Sequence, residues 1–242
     1  MTYPLLFKPI DFTSRAQLEE LMDGPCTYEE YRACILDLES VNRLLDGYQP
    51  ILHWLSSLAG SHNKPLHIVD VGSGGGGMLR KLESSAICNE HQLKLVGIDQ
   101  NPYAARISRE ISSPGSKISW VTCNVFSYAS AEPIDVITSS LFTHHLSEDE
   151  IVQFLIWMEA NARLGWFIND LHRSAVSFHT FRLLAWAMRW HRFVRHDGPV
   201  SIRRSFRSED WLRMCEAANL PLQKIEIRKN AFGRLCVSRI KS

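Results

Sequence analysis

Leu66-His67-Ile68-Val69-Asp70-Val71-Gly72-Ser73-Gly74-Gly75-Gly76-Gly77 is the stretch from which the rest of the chain is read. A short apolar run ends in an acid, and a cluster of glycines follows. Met78-Leu79-Arg80-Lys81-Leu82 then opens a helical pattern. That order describes a buried strand, a tight turn and a helix N-terminus. Glycines in such a turn let the backbone reverse sharply and approach a ligand with no Cβ in the way. In an open α/β sheet the end of the strand faces the ligand crevice.

Two ligand classes fit these glycines. Gly72, Gly74 and Gly77 satisfy G-x-G-x-x-G, and Asp99 lies at the offset of about twenty residues expected for a dinucleotide ribose. Gly72, Gly74 and Gly76 also satisfy the looser G-x-G-x-G. Asp70 separates the two classes, because its carboxylate stands just before the first glycine and beside any bound ligand. A dinucleotide pyrophosphate would be repelled there. The cationic sulfonium and ammonium groups of S-adenosylmethionine would be attracted.

Asp70-Val71-Gly72-Ser73-Gly74-Gly75-Gly76 resembles motif I of the class I S-adenosylmethionine-dependent methyltransferases. The resemblance implies an α/β fold with a Rossmann-like, seven-stranded, mostly parallel sheet, helices on both faces, an antiparallel last strand and a helical cap or lid. Residues 1–60 are then a helical N-terminal cap, and 61–242 the S-adenosylmethionine-binding domain. A helical insertion at about 174–200 has no counterpart in a minimal domain of that family.

The bulk properties agree with one α/β domain plus a lid. The chain has 242 residues, 45% of them hydrophobic, enough for a sizeable core. A formal net charge of +1 leaves no global field to draw in nucleic acid. Cys26, Cys34, Cys88, Cys123, Cys215 and Cys236 are scattered and form no C-x-x-C pair, as reduced thiols of a cytoplasmic protein would be. The start lacks the pattern of a signal peptide, and no run of about eighteen apolar residues suggests a membrane span.

Further motifs extend the resemblance. Thr27-Tyr28-Glu29-Glu30 is a capping box that opens a helical segment to about Ala59, with Gly47 and Pro50 as breakers. Within it Arg43 is a candidate donor to the cofactor carboxylate. Leu93 to Asp99 reads as a second strand, and the Asp99 carboxylate can accept from the ribose hydroxyls, with Gln100 beside it. Ile118 to Thr122 is a third strand. Most of the family carry an aspartate soon after it to hold the adenine amine; here Asn124 stands in that place, followed by Val125, and its amide can still accept and donate. Ile134 to Leu141 is a fourth strand with Ser140 at its end. The Phe142-Thr143-His144-His145-Leu146 that follows resembles the ubiquinone/menaquinone-biosynthesis branch of the family. Leu164 to Asp170 is a fifth strand, ending in the polar run Asn169-Asp170-Leu171-His172-Arg173-Ser174. Residues 178–196 read as one helix, apolar nearly all round, and hence buried or lining an apolar pocket. Asp197-Gly198-Pro199 reads as a turn. A last crossover helix and two strands, Leu222 to Arg228 and Phe232 to Ile240, complete the pattern.

Methyl transfer is an in-line displacement in which the enzyme chiefly holds the acceptor close and aligned. His145, His172, His144 and Asp170 are the candidates for removing an acceptor's proton. Adjacent histidines on an extended segment point to opposite sides, so only one of His144 and His145 is expected at the site. The cofactor set is Asp70, Gly72, Ser73, Gly74, Gly76, Asp99, Gln100, Asn124, Val125, Ser140 and Arg43. The spacing of His, Cys and acidic residues gives no metal-ligand pattern, so no metal is expected. The product is S-adenosylhomocysteine, and the acceptor a small apolar, aromatic or polyketide-like molecule methylated on oxygen or carbon. A homodimer is as compatible with the sequence as a monomer. An NAD(P)-dependent oxidoreductase explains the glycines and Asp99 but not Asp70. A non-catalytic cofactor-binding homologue is the other alternative.

Overall fold

A computed structural model describes residues 10–60 and 65–241. The first nine residues of the expected cap, and its boundary with the following domain at 61–64, lie outside the described residues.

Two helices come first, α1 (Tyr28–Leu44) and α2 (Gln49–Ala59). The capping box at Thr27 is complete: Glu30 N–H donates to Thr27 Oγ1 at 3.2 Å and Thr27 N–H to Glu30 Oε2 at 3.1 Å. Then come β1 (Leu66–Val71), α3 (Gly77–Glu83), α4 (Ala86–Glu90), β2 (Leu93–Asp99) and α5 (Pro102–Ile111). The chain continues through β3 (Ser119–Thr122), β4 (Ile134–Ser140), α6 (Glu148–Asn161) and β5 (Ala162–Leu171). It ends with α7 (Ala175–Ala187), α8 (Arg192–Arg204), α9 (Ser208–Ala217), β6 (Glu226–Asn230) and β7 (Arg234–Ile240).

The seven strands form one sheet in the order β3-β2-β1-β4-β5-β7-β6. The first five are parallel, and β7 runs antiparallel to both β5 and β6, as the family resemblance implies. The order reverses direction between β1 and β4, which places the ligand crevice at their C-terminal ends. Residues on each strand alternate between two cores. Val69, Ile137, Ile168 and Val237 pack against α6 and α9 through Phe154, Met158 and Trp211. Ile68, Val136, Phe167 and Cys236 pack against α2 and α3 through Leu55, Leu58 and Leu79. Each such side chain, fully buried, contributes roughly 1.5–3 kcal/mol before the cost of ordering the chain.

The lid differs from the single helix that residues 178–196 suggest. α7 ends at Ala187, and Arg189 adopts a left-handed φ of 54° before α8 starts at Arg192. Asp197-Gly198-Pro199, a turn by its residue types, lies inside α8. Tertiary contacts override the local preference. The Asp197 carboxylate, which in a turn would bond its own backbone, instead accepts from the N–H groups of Leu21 and Met22 at 2.8 and 3.0 Å. Gly198 has no side chain because a Cβ there would collide with the Phe181 ring. The two helices pack on α1 through Cys34, Val41, Ala185, Trp190, Phe193 and Val194, so cap and lid form one layer over the crevice. The expected burial holds for only part of α7, since Leu183 and Trp186 are exposed.

Candidate active site

A single cavity of about 1140 Å³ opens over the C-terminal ends of β1, β2 and β4, beneath α1, α7 and α8. At one end is the glycine turn. Gly72, Gly74 and Gly76 have φ of 68°, 51° and 74°, the left-handed region that only glycine adopts without strain. A Cβ on Gly72 would lie 2.6 Å from the Phe142 ring, and one on Gly76 would strike Trp120. The turn is held from below by Asp99, whose carboxylate accepts from Gly74 N–H and Asn101 N–H, both at 2.8 Å. These bonds use two of roughly four lone-pair positions and leave the others for a ligand's hydroxyls. Burial raises the Asp99 pKa against the pull of those two donors. Asp70 is buried on the same face. Its carboxyl is pushed to about 7 by burial, against a 2.8 Å hydrogen bond from Thr138 Oγ1, with Asp99 pushing it the same way as burial.

Ser73, Gln100, Asn124, Val125 and Ser140 also line the cavity. Asn124 Oδ1 caps the short turn at Val125–Ser127, accepting from Phe126 N–H at 2.9 Å. Ser140 Oγ is buried without a hydrogen-bond partner. The next residue, Leu141, has a φ of 54° and donates its N–H to Asn169 O at 2.9 Å, a strained corner where β4 leaves the sheet. Arg43 does not belong to this set. It is exposed and does not line the cavity, whereas Cys34, Leu38 and Val41 of the same helix do. The cation in the wall is Arg234, at the start of β7. It is buried, its Nη2 donates to Asn42 Oδ1 at 2.6 Å, and its Nη1 has no partner.

At the other end stand the two histidines. The segment Thr143–His145 is a 3-10 turn rather than an extended strand, so His144 and His145 do not point to opposite sides. Their rings lie 4.3 Å apart, and both face the cavity. His144 Nδ1 is 2.7 Å from Asp170 Oδ1, while Asp170 Oδ2 accepts from Thr143 Oγ1 at 2.5 Å and from His144 N–H at 3.1 Å. Burial alone would raise Asp170, but the His144 ring and these donors bring it down to about 2. Asp170 is fully buried and reaches the cavity only through His144. His172 is not brought to the site. Its N–H donates to Gly233 O, it bridges to Phe206, and burial lowers its pKa together with Lys229, Arg207 and Arg173.

The sequence offered no local signal for the residues that complete this end. Glu20 and Asp23 come from the mixed N-terminal segment and face His144 and His145. Arg204 and Arg15 donate to the carbonyls of residues 144 to 146 and hold the turn in place. Between the two ends, Leu38, Phe181, Leu184, Val194 and Ile202 form an apolar wall.

A family model described as a methyltransferase domain matches residues 68–163. Residues 68–163 therefore carry a methyltransferase domain. Such domains take their methyl group from S-adenosylmethionine, and the glycine turn, Asp99 and Asn124 lie within the matched residues. No curated protein matches the methyltransferase in sequence. Among solved structures it is similar to the plantazolicin methyltransferase BpumL in complex with SAH, with a TM-score of 0.64 and 14% identity over 88% of this chain and 96% of that one. A SAM-dependent methyltransferase from Aquifex aeolicus matches with a TM-score of 0.58 and 15% identity over 89% and 99%. Magnesium protoporphyrin IX methyltransferase (ChlM) from Synechocystis PCC 6803 with bound SAH matches with a TM-score of 0.54 and 10% identity over 82% and 83%. At these identities the likeness is one of fold.

Proposed function

We propose that the methyltransferase moves the methyl group of S-adenosylmethionine to an oxygen or carbon of a small apolar acceptor, aromatic or polyketide-like, and releases S-adenosylhomocysteine. The observation that carries this reading is the continuity of the cavity. Its volume of about 1140 Å³ joins the glycine turn to the histidine pair, with apolar side chains between them. That is larger than a pocket for one drug-sized ligand, roughly 300–1,000 Å³, and suits a cofactor and an acceptor together.

The lining fits the cofactor. Asp99 faces the ribose and Asn124 the adenine. Asp70 lies beside the cationic groups, and the unpaired Ser140 Oγ and Arg234 Nη1 are donors without acceptors in the ligand-free chain. Bound there, the cofactor supplies an electrophilic methyl group on a sulfonium. Arg234 takes the role of carboxylate partner that the sequence assigned to Arg43. At the acceptor end, Asp170 accepts from His144 Nδ1–H and so leaves the Nε2 lone pair toward the cavity, ready to take a proton from a hydroxyl. The apolar wall excludes water and aligns the acceptor, which is the larger part of catalysis for such a displacement.

Thermal unfolding with S-adenosylhomocysteine, S-adenosylmethionine and NAD⁺ side by side tests the cofactor. Stabilisation by the two sulfur ligands and none by NAD⁺ is expected; the reverse would overturn the reading. Transfer of labelled methyl to phenols and quinols then tests the acceptor. His144→Gln should lower turnover about 10²-fold or more with little change in S-adenosylhomocysteine affinity. Unchanged turnover would remove the base assignment and leave alignment alone to carry the reaction.

A further inference from the structure

Glu20, from the N-terminal segment, and His144 and His145, from the turn after β4, converge on one point at the acceptor end of the cavity. One ligand atom from each lies within 4.8 Å of the other two. His144 Nε2 is 3.7 Å from Glu20 Oε1, and His145 Nε2 is 3.8 Å from Glu20 Oε2. These separations are too long for hydrogen bonds. The opposite nitrogen of each ring is engaged: His144 Nδ1 by Asp170 at 2.7 Å, His145 Nδ1 by Asp23 at 3.1 Å. An ionised carboxylate only accepts, so in each neutral ring the hydrogen sits on Nδ1 and Nε2 keeps its lone pair. Two lone pairs and a buried carboxylate then face one another.

A cation resolves that arrangement. Ligand atoms about 2.1 Å from a tetrahedral ion stand roughly 3.4 Å from each other, close to the distances between Glu20 and the two rings. Carboxylates behind both imidazoles are the usual way in which metal-binding histidines are oriented. The charges agree. Glu20, Asp23 and Asp170 outnumber the two nearby guanidiniums, Arg204 and Arg15, most of whose donors are spent on the turn's carbonyls. Arg204 Nη1 approaches Asp23 at 3.1 Å and Glu20 at 3.6 Å, and Ser201 Oγ donates to Glu20 Oε1 at 2.9 Å, leaving Oε2 toward His145.

We propose that Glu20, His144 and His145 bind a divalent first-row transition metal ion, with its remaining positions open to the cavity. Two imidazoles and one carboxylate suit zinc, iron or cobalt rather than magnesium or calcium. The inference rests on the methyl-transfer reading for its purpose. An acceptor hydroxyl that coordinates the ion gives its proton to solvent water. Its oxygen then takes the methyl group as the carbon–sulfur bond breaks and neutral S-adenosylhomocysteine leaves. In this form the histidines hold the ion that acidifies the acceptor, instead of taking its proton themselves.

The test needs no acceptor. The full-length protein, dialysed against chelator, is titrated with Co²⁺, whose visible absorption reports nitrogen and oxygen ligands, and with Zn²⁺ by calorimetry. One equivalent of each should bind. Glu20→Gln and His145→Ala should each weaken binding at least tenfold, and His179→Ala, on the exposed side of α7, should not. Thermal stabilisation by S-adenosylhomocysteine, measured on the same samples, shows that the variants fold. The proposal is overturned if no stoichiometric ion binds, or if binding survives both substitutions. Stabilisation by S-adenosylhomocysteine without metal binding removes the metal site and leaves the methyltransferase reading. Metal binding without that stabilisation does the reverse.

Discussion

Asp70 gains its charge near neutral pH. Its carboxyl is held near 7, and a cofactor with cationic groups beside it favours the ionised form. Binding therefore drives off a proton. Affinity for S-adenosylmethionine should be about tenfold weaker at pH 6 than at pH 8, and Asp70→Asn should flatten that dependence. Calorimetry at the two pH values reads this directly, and a flat profile in the wild type would remove Asp70 from the cationic end of the ligand. Arg234 makes a second prediction. Arg234→Met should weaken S-adenosylhomocysteine roughly 10- to 100-fold, as expected for losing a buried charged hydrogen bond, but leave 5′-methylthioadenosine, which lacks the amino-acid group, unchanged. An equal loss for both ligands would mean that Arg234 only supports the fold. The two residues differ in how they could be read. Asp70 lies inside its own motif, where spacing suffices. Arg234 meets Asn42 across 192 positions, and no local pattern links them, so the nearer Arg43 looked the better donor. His144 and His145 differ for another reason: their common orientation depends on a 3-10 turn clamped by Arg15 and Arg204, which come from two distant segments.

Most elements were legible because their caps and periodicities are local. Thr27/Glu30 and Ser147/Glu150 mark helix starts that the structure reproduces bond for bond. The lid was not legible in detail. Its residues favour one helix followed by a turn, and packing against α1 and the Leu21–Met22 backbone produces two helices instead. The apolar layer between α1 and the lid should hold this arrangement. Phe193 is nearly fully buried in it, and Phe193→Ala should cost about 3–5 kcal/mol, measured by denaturant unfolding. A loss below about 1 kcal/mol would mean that the layer is not continuous with the cooperative fold.

On the scale of the whole molecule, the site costs stability near neutral pH. The folded-state pKa of Asp70 is raised from its ordinary 3.8 to about 7, so the folded state holds that proton more tightly than the unfolded one, and the advantage is lost as pH rises through about 7. His145 is also raised, and its contribution is lost in the same direction above its ordinary 6.5. Asp170 is lowered to about 2, and its contribution disappears as pH falls from about 4 toward that value. The ligand-free protein should therefore melt higher at pH 5 than at pH 8, and Asp70→Asn should narrow the gap. Melting curves at both pH values check this, and a wild type more stable at pH 8 would contradict it. The strand, glycine turn and helix of residues 66–82 and the capped starts of α1 and α6 follow from the sequence by itself, because hydrophobic period, caps and glycine placement act over a few residues. The acceptor end was decided only by tertiary structure. Glu20, Asp23, Asp170, Arg204 and Arg234 are charges whose meaning depends on which partner burial forces on them, and burial is settled by the packing of segments far apart in the chain.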